Sequence, residues 1–141
     1  MMAIPPFLTI KPLEMKLSTY SIILTIVAIL YGLPLMFMPA KFLGHYGLVV
    51  NDPTIFMSRF FGSAMFCNGI LFWLHRNVSA GDKSWSALLI SSVIFNVINL
   101  VIGIRAVTGG FVNSTGWSTV VLSALFALAS AYYAFKKYPA K

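Results

Sequence analysis

The most unusual charge in the sequence is Arg59, which lies inside the apolar run of residues 54–74. An arginine at the centre of a bilayer costs at least about 2.5–3.5 kcal/mol, and its long side chain lowers that cost by reaching towards the membrane surface. Two roles therefore remain open for Arg59. It is either a structural residue that reaches the interface or bonds another helix, or a binding residue for an anionic or carbonyl-bearing head group or a lipid phosphate.

A second set of polar residues lies in the apolar run of residues 84–104. Ser92, Asn96, Asn99 and Gly103 are spaced by four, three and four residues, which places them on one face of a helix. Amide side chains within a membrane must find hydrogen-bond partners, so this face is either a polar contact between helices or the wall of an internal cavity.

The depth of these residues suggests a common site. Asn99 and Arg59 both lie within about 10 Å of the predicted outer end of their helices. Tyr31 adds a hydroxyl group within the first apolar run. We therefore predict a polar ligand-binding pocket near the outer leaflet, which contains Arg59, Asn99, Asn96, Tyr31 and Ser92.

The sequence shows no recognisable catalytic or metal-binding residues. The acidic residues Glu14, Asp52 and Asp82 lie outside the apolar runs, and His45 and His75 fall at opposite ends of the predicted helices. Paired carboxylates, a Ser/His/Asp set, metal-ligand spacings and a glycine-rich phosphate loop are missing from the sequence. The sequence thus favours a non-catalytic protein and leaves any cofactor unknown.

The elements that must position these residues are four membrane-spanning helices. Hydrophobic residues make up 59% of the 141 residues and charged residues 9%, against about 25% charged residues in a soluble domain. Four runs reach the length of about 20 residues that spans a bilayer: residues 17–39, 54–74, 84–104 and 115–135. We predict a single all-α domain, an integral membrane four-helix bundle.

Charge and helix-breaking residues define the connections. Pro34 should kink the first helix, Asp52 and Asp82 should cap the second and third, and Ser114 or Thr115 should cap the fourth. Residues 40–52 are predicted to form a short interfacial helix and an extended piece.

The distribution of lysine and arginine predicts the orientation. Seven of them fall on the side of both termini and two on the other, so the termini are predicted to be cytoplasmic. If the source is bacterial, the membrane is the plasma or inner membrane. The first group contains Lys11, Lys16, Arg76, Lys83, Lys136, Lys137 and Lys141, and the second contains Lys41 and Arg105. Because these cations flank apolar runs, they predict contact with membrane lipids rather than with nucleic acid.

Small residues predict close contacts between helices. Gly62 and Gly69 form one such stripe, and Ser123, Ala127 and Ala131 repeat every four residues in the last apolar run. These stripes serve packing within the chain or contact in a homo- or hetero-oligomer.

The order of several residues resembles the DoxX-like group of small four-helix membrane proteins. The residues that carry the resemblance are Gly32-Leu33, Pro39, Phe42, Gly47-Leu48, Arg59-Phe60-Phe61-Gly62, Gly69 and Trp73. The resemblance implies a four-helix bundle with cytoplasmic termini. Some members of the group are associated with quinone-linked sulfur oxidation or with oxidative-stress complexes, and many have no known activity. Of its pattern, Arg59 and Gly62 are the residues that would mark a site here.

Three functions remain open from the sequence. The first is a non-catalytic membrane protein that acts as a complex subunit or binds a lipid-like, hydrophobic small molecule. The second is a small redox subunit that acts on a quinone with the help of a cofactor or partner. The third is an oligomeric channel or transporter for a small solute.

Overall fold

The computed structural model describes residues 16–136, and these form helices joined by turns and short extended segments, with no strand among them. Lys11, Lys137 and Lys141, which contribute to the predicted charge asymmetry, lie outside the described residues. Five helices follow one another along the chain: α1 (Leu17–Phe37), α2 (Pro39–His45), α3 (Asp52–His75), α4 (Lys83–Thr108) and α5 (Gly116–Phe135).

Four of these helices are long and apolar enough to cross a membrane: α1, α3, α4 and α5. Each coincides with one of the four predicted spans, although α3 and α4 extend further at both ends. The short helix predicted between the first two spans is α2, and residues 48–51 follow it without regular structure. The all-helical prediction is therefore confirmed for the described residues, and so are four helices with the length and composition of membrane spans.

The helix starts match the sequence prediction only in part. Asp82 caps α4 as predicted, because its side chain accepts a hydrogen bond from Ser84 N at 2.8 Å. A hydrogen bond with the Ser84 hydroxyl and then this bond with its backbone N–H lower the pKa of Asp82. The cap of α3 is Asn51 rather than Asp52. Asn51 accepts from Thr54 N and Thr54 Oγ1 accepts from Asn51 N, both at 2.9 Å, which is a reciprocal capping box.

The start of α5 also differs from its prediction. Thr115 occupies the capping position, but its side chain makes no capping hydrogen bond. The side chain of Asn113 accepts from Thr115 N at 3.0 Å instead. An asparagine two residues before the cap thus holds the turn that leads into α5.

The four long helices are arranged as two antiparallel pairs, and α1 packs along α3 in the first of them. Glycines set the distance between these two helices. A Cβ atom added at Gly62 would lie 2.8 Å from the carbonyl oxygen of Gly32, and one at Gly69 would lie 2.9 Å from Cβ of Ala28. Gly62 and Gly69 therefore pack within the chain, against α1.

The second pair consists of α4 and α5. A Cβ atom at Gly103 would lie 3.0 Å from Val120, and one at Gly116 would lie 2.6 Å from Val107. Further along, the hydroxyl groups of Ser92 and Ser130 are 2.9 Å apart and buried. Small and hydroxyl-bearing residues thus bring these two helices together along most of their length.

The two pairs meet in a solid core at one end of the bundle. Tyr20 in α1 stacks on Tyr133 in α5, with ring centroids 4.9 Å apart, and Phe72 contacts Trp85 across α3 and α4. The buried members of this core are Leu17, Tyr20, Leu24, Phe72, Trp85, Leu89 and Tyr133. Because it joins the start of α1 to the end of α5, both ends of the described chain lie on this side.

The outer surface of the bundle is apolar. Large hydrophobic side chains such as Leu30, Phe60 and Leu128 are more than 60% exposed. A surface of this kind is stable only against lipid or a partner. Helix α1 continues through Pro34 to Phe37, and the kink predicted there stays a prediction, as does the cytoplasmic location of the termini.

Candidate functional site

A cavity of about 370 Å³ separates the two helix pairs at the end of the bundle opposite the core. All five helices contribute to its wall, which is a consequence of their packing in pairs. The cavity lies in the range of small-molecule sites, which begins at about 300 Å³. The bundle is therefore solid at the end that holds both ends of the described chain and hollow at the other.

Side-chain size explains why space remains there. The wall formed by α4 and α5 carries small residues, among them Gly103, Ala106 and Ser123. Phe61 of α3 and Phe95 of α4 also line the cavity, with ring centroids 6.5 Å apart. Most of the lining is apolar, and none of the lining residues is charged.

Two asparagines of α4 bring amide groups into this apolar wall. Asn96 is 7% exposed, and its Nδ2 donates to the carbonyl oxygen of Ser92 at 2.8 Å and to the hydroxyl of Ser92 at 3.3 Å. Asn99 Nδ2 donates to the carbonyl oxygen of Phe95 at 2.8 Å. Among residues 16–136, the Oδ1 atoms of both amides have no hydrogen-bond partner, so they are available to a molecule in the cavity.

Hydroxyl groups complete the polar part of the lining. Tyr31 of α1 and Tyr46, at the end of α2, lie on the same side of the cavity. Burial raises the pKa of the Tyr46 hydroxyl, the neighbouring Tyr31 hydroxyl raises it further, and a hydrogen bond with Ser118 opposes the rise. Tyr46 therefore stays a neutral donor at ordinary pH.

Helix α2 covers the end of the cavity and is fixed in place by its C-terminal turn. Leu48 N donates to Leu43 O at 3.2 Å and Gly47 N to Gly44 O at 3.0 Å, which is a Schellman motif. Gly47 has a φ of +72°, the left-handed conformation that this motif requires. Phe42, Leu43, Tyr46 and Leu48 all face the cavity from this segment.

Asn113 ties this turn to the α4–α5 connection. Its Nδ2 donates to the carbonyl oxygen of His45, and its backbone N–H donates to that of Tyr46, both at 3.0 Å. The two connections at this end of the bundle are thereby joined, and α2 is held over the cavity.

The structure brings some of the predicted site residues together and leaves others apart. Tyr31, Asn96 and Asn99 line the cavity, but Arg59 does not. Arg59 is exposed and has no hydrogen bond or ion pair with the described part of the chain. The physical reason is helix periodicity: Arg59 is two residues from Phe61, which is a rotation of about 200° away from the cavity.

Ser92 also lies outside the cavity, directly behind its wall. It is buried between α4 and α5, where it accepts from Asn96 and contacts Ser130. Ser123, which the sequence assigned to helix packing, lines the cavity instead, and its hydroxyl has no hydrogen-bond partner among the described residues. Of the other two members of that stripe, Ala127 is buried and Ala131 is half-buried.

Sequence reasoning missed three residues that build this site. Tyr46 and Asn113 lie in connections, where no periodicity reports which way a side chain points. Ser130 belongs to no predicted stripe, yet it is fully buried against Tyr20 and Ser92. The one available signal was that residues 40–52 are too apolar for an exposed loop, which indicates a segment that covers something.

Comparison with family models, with curated proteins and with solved structures finds no match to this chain. The resemblance to the DoxX-like group therefore stays a prediction. Within residues 16–136, histidine, cysteine and acidic side chains form no group that could hold a metal ion.

Proposed function

We propose that this protein is a membrane-embedded binding protein for a neutral, lipid-like or otherwise hydrophobic small molecule, which occupies the cavity between the two helix pairs. The observation that carries the proposal is the composition of the cavity wall. It is apolar and uncharged, yet it contains amide and hydroxyl groups whose hydrogen-bonding capacity the protein leaves unused.

Unused polar groups in a membrane interior are costly, which is why they support a binding role. A buried acceptor without a partner loses about 1–3 kcal/mol relative to one that is hydrogen-bonded. Asn96, which is 7% exposed, bears this cost, and the half-buried Asn99 on the same wall bears part of it. A molecule with an apolar body and a polar head would remove the cost and bury its own apolar surface at the same time.

The absence of charge in the lining defines the class of ligand. An anionic head would have to leave water without a counter-charge, since Arg59 lies outside the cavity and no lining residue is charged. The proposed ligand is therefore neutral. This distinguishes the cavity from the arginine-centred pocket that the sequence suggested.

A volume-filling variant tests the proposal. Ala106 lines the cavity, whereas Ala64 is exposed on the outside of α3, so Ala106→Leu fills the cavity and Ala64→Leu is its matched control. Native mass spectrometry from a mild detergent, followed by analysis of extracted small molecules, measures what each variant retains. We expect the unaltered protein and Ala64→Leu to retain a neutral amphiphile that Ala106→Leu loses.

Two results would contradict this function. The first is an unaltered protein that retains no small molecule and binds no neutral hydrophobic probe in lipid nanodiscs. The second is equal retention in Ala106→Leu and Ala64→Leu, which would place the bound molecule on the outer surface.

A further inference from the structure

The side chain of Asn96 has one hydrogen-bonding atom left for a ligand. An asparagine amide carries two N–H donors and one carbonyl acceptor. Both donors of Asn96 are directed at Ser92, to its carbonyl oxygen at 2.8 Å and to its hydroxyl at 3.3 Å. Oδ1 is the atom that remains, on a side chain that is 93% buried and lines the cavity.

The orientation of this amide is fixed by chemistry. If the oxygen and nitrogen of Asn96 were exchanged, its Oδ1 would lie 2.8 Å from the carbonyl oxygen of Ser92, and two acceptors would face each other. Only an N–H group satisfies that carbonyl at this distance. Asn96 therefore presents an acceptor, and not a donor, to the rest of its surroundings.

A chain of hydroxyl groups behind Asn96 strengthens this acceptor. The hydroxyl of Ser92 lies 2.9 Å from that of Ser130, which lies 2.6 Å from the hydroxyl of Tyr20. Tyr20 in turn donates to the carbonyl oxygen of Phe126 at 3.2 Å. One direction satisfies every group: Asn96 donates to Ser92, Ser92 to Ser130, and Ser130 to Tyr20. Consecutive bonds of this kind polarise one another, so an amide that donates at one end accepts more strongly at the other.

We propose that Asn96 selects the head group of the bound molecule, and that this head is a hydrogen-bond donor such as an alcohol, a phenol or an N–H group. The inference rests on the proposed function and deepens it. A ketone, ether or ester head would leave Asn96 Oδ1 unpaired in the cavity. The site therefore prefers hydroxyl-bearing molecules over analogues of the same shape without a donor.

Two probes that differ in this one property test the proposal. 2-Naphthol donates a hydrogen bond, and its methyl ether, 2-methoxynaphthalene, does not. Equilibrium dialysis against the full chain in lipid nanodiscs, with empty nanodiscs of the same lipid as the reference, removes the contribution of membrane partitioning. We expect 2-naphthol to bind about tenfold more tightly than the ether, because the ether leaves a buried acceptor unpaired.

Variants assign the preference to Asn96. In Asn96→Leu the ratio of the two affinities should fall to about twofold or less, because the acceptor is lost. Ser92→Ala is the matched control: it removes one partner of Asn96 but leaves the contact with the Ser92 carbonyl oxygen, so most of the preference should remain. If Asn96→Leu does not fold, the ratio of the affinities for 2-naphthol and its ether in the unaltered protein still tests whether the site prefers a donor.

The outcomes separate this inference from the function on which it rests. Equal binding of both probes to the unaltered protein, or an unchanged preference in Asn96→Leu, would overturn the role of Asn96 while the cavity remains a binding site. Failure of both probes to bind would contradict the role of Asn96 and the proposed function together.

Discussion

Asn96 and Asn99 carry the same side chain on neighbouring turns of α4, yet they offer a ligand different groups. Asn96 uses both amide N–H groups within the protein, whereas Asn99 uses one, towards the carbonyl oxygen of Phe95. Asn99 therefore retains a donor as well as an acceptor. Of the two, Asn96 is the residue whose contact with a ligand discriminates between donor and acceptor heads.

Arg59 provides a contrasting case at the same scale. It is exposed on α3 and does not line the cavity, so Arg59→Leu should leave the affinity for 2-naphthol unchanged within about twofold. The dialysis experiment described above measures this value directly. If Arg59→Leu lost as much affinity for 2-naphthol as Asn96→Leu does, Arg59 would be part of the binding site, as the sequence suggested.

Tyr46 gives the molecule an expected response to alkaline pH. Its pKa is raised above the ordinary value of 10.0, first by burial and then by Tyr31. The unfolded chain therefore loses this proton first, and the contribution of Tyr46 to stability, complete below about pH 10, is lost as the pH rises through the folded value.

Unfolding measured from about pH 8 to about pH 11 tests this response. The unaltered protein should lose more stability over this interval than Tyr46→Phe, which has no proton to lose at this position. Since other tyrosines ionise in the same interval, the difference between the two profiles is the quantity that counts. Parallel stability profiles of the unaltered protein and Tyr46→Phe would show that the Tyr46 hydroxyl does not contribute to the loss of stability at alkaline pH.

At the scale of the elements, the α1–α3 pair depends on the absence of side chains at its contact. A Cβ atom at Gly62 would meet the backbone oxygen of Gly32 at 2.8 Å, and a backbone atom cannot move aside as a flexible side chain can. Gly62→Ala should therefore lower the free energy of unfolding by about 1–3 kcal/mol. Thermal unfolding in detergent measures the loss.

Gly44→Ala is the matched control for this prediction. A Cβ atom at Gly44 in α2 would have nothing within 4 Å, so the same chemical change costs nothing in packing. It should stabilise slightly, because alanine restricts the unfolded chain more than glycine does. Equal destabilisation by both substitutions would remove the argument from close helix packing.

The hold of α2 over the cavity depends on Asn113. Asn113→Ala removes the side-chain hydrogen bonds to His45 and Thr115 but keeps the backbone bond to Tyr46. We expect the amides of Gly47 and Leu48 to exchange about 3- to 10-fold faster with deuterated water, because the turn that contains them opens more easily.

Asn51→Ala is a suitable comparison for this variant. Asn51 is also an exposed asparagine that makes local hydrogen bonds, but its bonds hold the start of α3. Asn51→Ala should leave the rate of amide hydrogen exchange at Gly47 and Leu48 unchanged. If it accelerates their exchange as much as Asn113→Ala does, α2 is held by something other than the contact with Asn113.

At the scale of the whole molecule, we predict that the four long helices cross the membrane in alternation, which would put the α3–α4 and α4–α5 connections on opposite sides. Ser79 lies in the first and Ser114 in the second. In a chain with Cys67→Ser, a membrane-impermeant maleimide should label Ser114→Cys in intact cells and Ser79→Cys only after permeabilisation, because lysine and arginine favour the cytoplasmic side. Labelling of both from one side would contradict the four-span arrangement, and the reverse pattern would contradict the orientation alone.

The asymmetry of the bundle also appears at this scale. Aromatic side chains such as Tyr20, Phe72 and Trp85 fill the end where the described chain begins and finishes. The cavity at the other end is lined by aromatic residues as well as by small ones such as Gly103 and Ala106. The same two helix pairs therefore produce a solid core and a cavity.

The number, type and approximate extent of the long helices follow from the sequence alone, because about 20 apolar residues have one stable conformation in a bilayer, a hydrogen-bonded helix. The polar face of α4 was also readable, since Asn96 and Asn99 obey helical periodicity. Only the tertiary structure decided that helices pair as α1 with α3 and α4 with α5, and that Arg59 faces outwards. It also decided that Tyr46 lines the cavity and that Asn113 ties α2 to the α4–α5 connection. These features depend on the rotation of each helix about its axis and on the path of its connections, and an apolar surface that faces lipid looks the same in sequence as one that faces another helix.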